Sequence, residues 1–150
     1  MTFRTLVRSK LYPLHVTSLE AQEESLPGSI VLCSRLLWSA GLAELEQVEV
    51  LSLTNGYRMT ATVLLGELGE VRIPGGEFFG FEQWASVVVT ANVGVPSHRI
   101  ALHRATLVQV DPRRNAALEI CRQEVRPVLR EPSFNPPPPR VVIREPILQP

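Results

Sequence analysis

Hydrophobic and polar positions alternate along much of this chain, in short runs punctuated by Gly, Pro and Asn. Val48-Glu49-Val50-Leu51-Ser52-Leu53-Thr54 has a period of two and predicts a strand. Asn55-Gly56 follows, and both residue types tolerate φ > 0, so the pair predicts a two-residue type I′ hairpin. The return strand is Tyr57 to Leu65. Its alternation puts Arg58, Thr60 and Thr62 on one face and Tyr57, Met59 and Ala61 on the other. Residues 3–18 alternate more loosely, and Pro13 marks an edge position or a bulge there. Val71-Arg72-Ile73 is a short strand candidate. Val87 to Ala91 is apolar enough for burial on both faces, and Arg104 to Asp111 is a strand closed by Pro112. One run has helical spacing: Leu37, Trp38 and Leu42 within Ser34 to Leu42, with Gly41 as the C-terminal cap. Cys33 reads as a core residue at the helix entry, with Ser34 as the alternative cap. Glu20 to Ser25 is a polar loop or short helix, Pro74-Gly75-Gly76 a turn, and Glu77 to Trp84 an aromatic-rich loop or short helix. Many short strands with little helix predict a small barrel rather than a helical bundle.

Composition narrows this picture. A chain of 150 residues with 45% hydrophobic content suits one domain with a real core. The formal net charge of zero argues against nucleic-acid binding driven by bulk charge. No apolar run approaches the length of a membrane span, and no signal-peptide pattern follows Met1, so a cytoplasmic location without a membrane partner is expected. Cys33 and Cys121 form no metal pattern, and His15, His98 and His103 have no spacing that suggests a triad or a metal site. Beyond about residue 118 the character changes. Four consecutive prolines, Pro136 to Pro139, favour extended polyproline II, so residues 119–150 read as a Pro-rich tail, partly disordered, behind a barrel domain of residues 1–118.

The candidate chemistry lies at Leu26-Pro27-Gly28-Ser29-Ile30. Pro27 biases Leu26 toward extended backbone, and Gly28 accepts a left-handed one without strain. Taken alone, Gly28-Ser29 is an ordinary turn, Lys10 a solvated strand residue and Arg58 an exposed residue after a hairpin. Their ordered company is more specific. Arg4-Thr5, Lys10-Leu11, Val16-Thr17, Gly28-Ser29, Ser39 to Leu42, Thr54-Asn55-Gly56 with Arg58, and the Val87 strand come at near-constant spacing. In this the chain resembles the pyruvoyl-dependent aspartate 1-decarboxylases over roughly residues 2–118.

That resemblance implies a double-psi β-barrel, assembled as a homotetramer with active sites between subunits. It implies self-cleavage between Gly28 and Ser29, leaving a covalent pyruvoyl group derived from Ser29, with no metal and no pyridoxal phosphate. The amine of an amino-acid substrate would condense with that carbonyl as an iminium, and the group would take up the electrons left by departing CO₂. Lys10 and Arg58 would hold carboxylates of the substrate, and Gly75 and Gly76 would line its site. The chain also departs from the family. Position 12 is Tyr instead of the usual His, Ala61 replaces a Thr that assists self-cleavage, and Thr62 replaces the Tyr proposed as proton donor. Tyr12 is the candidate replacement donor. The expected function is decarboxylation of L-aspartate, or a related amino acid, to β-alanine and CO₂. The alternative is a slow or non-catalytic barrel kept as a binding module, and a third option is maturation driven by a partner protein.

Overall fold

A computed structural model of the chain describes residues 2–21, 28–124 and 142–146. The alternating runs become strands: β1 (Phe3–His15), β2 (Ser29–Cys33), β3 (Gln47–Ser52), β4 (Arg58–Gly66), β5 (Val71–Arg72), β6 (Ser86–Pro96), β7 (Arg104–Asp111), β8 (Ala116–Glu124) and β9 (Val142–Pro146). The helical run becomes α1 (Ser34–Ala40), and short 3₁₀ helices form at Gly76–Phe79 and Ser97–Leu102. The strands join one curled sheet in the order β5-β2-β4-β3-β6-β1-β7-β8-β9. Neighbours are antiparallel except β1 with β7 and β2 with β4. The chain is mainly β with short helices, consistent with the expected double-psi β-barrel.

The period of two sets the core. Met59, Ala61 and Val63 of β4 are buried, while Arg58 and Thr60 face outward. Val48 and Val50 of β3 and Val87 and Val89 of β6 join them, with Leu11 and Leu14 from β1. Each such Val, Leu or Met side chain removed from water stabilises the fold by roughly 1.5–3 kcal/mol. All five residues of β2 are buried, because β4 and β5 flank it on either side. Pro13 lies in a central strand and not at an edge. The register of β1 against β6 shifts between Leu11 and Leu14, so the bulge is the outcome that the proline forces.

Three local expectations change. The Asn55-Gly56 turn is not type I′, because only Gly56 takes φ > 0, at 79°. Residues 53–57 form a longer loop, closed by Gly56 N–H donating to the Ser52 carbonyl at 2.9 Å. The Asn55 side chain explains this: it accepts from Tyr57 N–H at 3.1 Å and donates to the Gly80 carbonyl at 2.8 Å. Tyr57 therefore precedes β4 and stays exposed. Trp38 is 80% exposed, because the short α1 turns Leu36, Leu37 and Ala40 inward and Trp38 away. The helix does stop as expected at Gly41, whose φ of 66° lets its N–H reach the Trp38 carbonyl and brings Leu42 N–H onto the Leu37 carbonyl. Its N-cap is Cys33, with no side-chain cap bond, and Ser34 is the first helical residue.

The sheet also continues beyond residue 118. β8 crosses that position, pairing with β7 from Asp111–Ala116 to Arg104–Glu124, and β9 pairs with β8 inside the segment read as a tail. Pro136 to Pro139 fall outside the described residues.

Candidate active site

Gly28 enters β2 with φ of 68°, a conformation that glycine adopts without a steric penalty. Its carbonyl oxygen accepts a hydrogen bond from Thr62 N–H at 2.9 Å. Ser29 is fully buried at the first position of β2, level with Thr62 in the parallel β2–β4 ladder. Gly28, Ser29 and Thr62 thus meet at one seam. The seam combines a buried serine at the start of a strand, a glycine with left-handed backbone before it, and an N–H held on that glycine's carbonyl, where it could stabilise negative charge on the oxygen. Ala61 is also at the seam, but its side chain points into the core and is 1% exposed. Thr62, at the position where the resembled family has a Tyr, is half-buried.

Arg58 lies on the same strand as Thr62 and on the same face, four residues away, which is about 13 Å between Cα atoms. Its guanidinium makes a 3.4 Å ion pair with Glu49, and both side chains are well exposed. Glu49 stands opposite Thr60 on one side and Thr90 on the other, and Thr90 stands opposite Lys10. Residues directly opposite across strands point to the same side, so Lys10, Thr90, Glu49, Thr60 and Arg58 share the outer face. Sequence reading missed Glu49. The alternation of β3 carried the signal, but a two-residue turn would have set it opposite Thr62.

Lys10 places its ammonium 5.6 Å from the centre of the Tyr12 ring, within cation–π range. Both line an open cleft of about 380 Å³ with Val7, Ala105, Leu107 and Gln123. Gln123 was also missed, since it falls in the segment read as tail. Three strands, β4, β3 and β6, separate β2 from β1 in the sheet. Four strand spacings put Lys10 roughly 19 Å from Ser29 along the sheet. One chain thus sets Ser29 beside Thr62 on β2 and β4, and Lys10 beside Tyr12 on β1, with three strands between the two pairs in sheet order.

Gly75 and Gly76 lie just beyond β5, which runs antiparallel to β2 with Arg72 opposite Val31, so this turn heads toward the Ser29 end. Gly75 has φ of 68°. At Gly76 a Cβ would meet Leu19 Cδ2 at 2.8 Å and Ile73 Cγ2 at 2.9 Å. Glu77 and Phe78 after them are exposed. Among the described residues, no three His, Cys, Asp or Glu side chains group as metal ligands do, and no helix is long and apolar enough to cross a membrane.

Comparison with known proteins supplies the class first: this is a carboxy-lyase. It belongs to the aspartate decarboxylase family, whose model matches residues 1–117. The chain is similar to aspartate 1-decarboxylase 2 of a Polaromonas species, with 30% identity over 111 residues, covering 73% of this chain and 86% of the relative. It is likewise similar to aspartate 1-decarboxylase of Xylella fastidiosa, with 31% identity over 109 residues, 71% of this chain and 84% of that one. A shorter match to the Pyrobaculum islandicum aspartate 1-decarboxylase reaches 40% identity over 70 residues, 47% of this chain and 56% of the other.

Proposed function

We propose that this chain is a pyruvoyl-dependent α-decarboxylase that converts L-aspartate to β-alanine and CO₂. The observation that carries the reading is the seam: a buried Ser29 follows a Gly28 carbonyl that Thr62 N–H grips at 2.9 Å. The Ser29 hydroxyl attacks that carbonyl carbon, and the C–N bond breaks to leave an ester and a free amine. Elimination of the ester releases a chain ending in the Gly28 carboxylate. Water then hydrolyses the remaining enamine, ammonia leaves, and the second chain begins with a pyruvoyl group. Negative charge gathers on the Gly28 oxygen during the attack, where the Thr62 amide stabilises it without relying on the hydroxyl that Ala61 lacks.

The pyruvoyl ketone supplies the electron sink that decarboxylation requires. The chain's other residues bind and protonate. Arg58 offers a planar fork to one substrate carboxylate and Lys10 a point charge to another. The Tyr12 hydroxyl holds the proton that the α-carbon takes up, since the Thr62 hydroxyl is too short and too weakly acidic for that task. Because three strands stand between β2 and β1 in the sheet of one chain, each site joins the seam of one subunit to the cleft of a neighbour in a homotetramer. Trp38, Phe78 and Leu102 are each at least 79% exposed, which supplies apolar surface for such contacts.

Intact mass spectrometry tests this most directly. Two fragments dividing between Gly28 and Ser29, the larger one reactive toward hydroxylamine, are expected. An unbroken chain with no reactive carbonyl rules the mechanism out.

A further inference from the structure

The cleft beside Lys10 has a wall outside the family match. Val7, Lys10, Tyr12, Ala105 and Leu107 fall within residues 1–117, whereas Gln123 comes from β8, past its end. The register explains why Gln123 belongs there. Lys10 stands opposite Leu107 across β1 and β7, and Gln123 stands opposite Ala105 across β7 and β8. Ala105 and Leu107 are two residues apart and share one face of β7. Lys10 and Gln123 therefore rise on the same side, one on each flank of β7, with Cα atoms roughly 12 Å apart.

Two long side chains at that separation converge over the floor made by Ala105 and Leu107. Among the described residues, neither the Lys10 ammonium nor the Gln123 carboxamide makes a hydrogen bond, and the Lys10 ammonium rests over the Tyr12 ring. A cation and an amide donor above an apolar floor suit a small organic carboxylate: the ammonium attracts it and the amide N–H fixes its orientation.

We propose that Gln123 is a specificity-determining residue, donating its carboxamide N–H to the same substrate carboxylate that Lys10 holds. This rests on the decarboxylase reading and adds to it a contact from the chain's own extension. A carboxamide can also accept a hydrogen bond, so it does not discriminate against an amide-bearing substrate as a fixed cation would. A carboxylate at position 123 would repel an acidic substrate and draw the Lys10 charge to itself.

Steady-state kinetics of the full-length, processed protein test this. Gln123→Ala should raise KM for L-aspartate about tenfold, as for one lost hydrogen bond to a charged group, with a much smaller change in kcat. Gln123→Glu should raise it further and shift the kcat/KM ratio of L-aspartate to L-asparagine toward asparagine, an effect that simple loss of packing would not produce. Gln123→Asn should fall between wild type and Gln123→Ala, and it covers the case of an alanine variant that does not fold. Calorimetric binding of succinate to wild type, Lys10→Ala and Gln123→Glu reads the cleft without turnover. Weakened succinate binding in both variants, with no decarboxylation by wild type, removes the decarboxylase reading while the cleft contact stands. KM and substrate ratio within twofold of wild type in Gln123→Ala and Gln123→Glu, with succinate affinity of Gln123→Glu also within twofold, overturn the proposal.

Discussion

The Ser29 seam and the Lys10 cleft lie on one sheet and are built in opposite ways. Ser29 is enclosed, and its surroundings are set by main-chain bonds: the β2–β4 ladder and the Thr62 N–H on the Gly28 carbonyl. The cleft is open, and its polar groups are the ends of long side chains rising from apolar neighbours. A single chain can complete the first, whereas the second presents an unfinished surface. On the proposed reading, generating a reactive group and choosing a substrate would be separate structural tasks that can be disturbed separately.

The strongest disturbance is at the seam. Ser29→Ala should leave one unbroken chain by intact mass and reduce aspartate decarboxylation to background. A divided chain in that variant would refute the role given to Ser29. Lys10→Ala should divide normally but raise KM for L-aspartate about a hundredfold, the order expected when one partner of a charge pair is lost. Co-expressing Lys10→Ala with Ser29→Ala then asks whether the two regions meet across subunits. Random mixing should restore about a quarter of wild-type activity if each site takes one residue from each of two neighbours. Complete absence of recovery would put both residues to work in one chain.

Smaller effects sharpen the contrast. Ala61→Thr inserts a hydroxyl beside the seam, into a position only 1% exposed. Overpacking there should destabilise by about 1–3 kcal/mol, while timed mass spectra show faster division. Gly76→Ala should lower the melting temperature through a loss of about 1–3 kcal/mol, because its Cβ would crowd Leu19 and Ile73. Glu49→Gln should be mildest. The exposed pair with Arg58 contributes less than about 1 kcal/mol, so stability barely moves while the freed guanidinium lowers KM roughly twofold.

Much of the fold was legible because burial follows the period of two. Arg104 to Asp111 is β7 at both ends, and the apolar Val87 run lies inside β6. The hairpin illustrates a partial success. A two-residue turn would pair Glu49 with Thr62, whereas the observed register pairs Glu49 with Thr60. An even slip preserves which side chains share a face, so Met59 and Ala61 were rightly grouped opposite Arg58 and Thr60, while Glu49 and Arg58 were not seen as partners. The turn itself depends on Asn55 reaching Gly80, a contact 25 residues away that local propensity does not encode. β8 was missed because its apolar alternation is faint: Leu118 is 56% exposed and Ile120 only half-buried. At the site, the residue types and their order were readable, but the distance from Lys10 to Ser29 depends on strand order, and local patterns do not report strand order.

The donor on the Gly28 carbonyl belongs to the peptide backbone, so ordinary point substitutions other than proline leave it in place. If the Gly28–Ser29 bond is cleaved as proposed, a lineage can discard a helpful hydroxyl from this strand and still inherit the means to polarise that bond. An alignment of side chains would record only the loss.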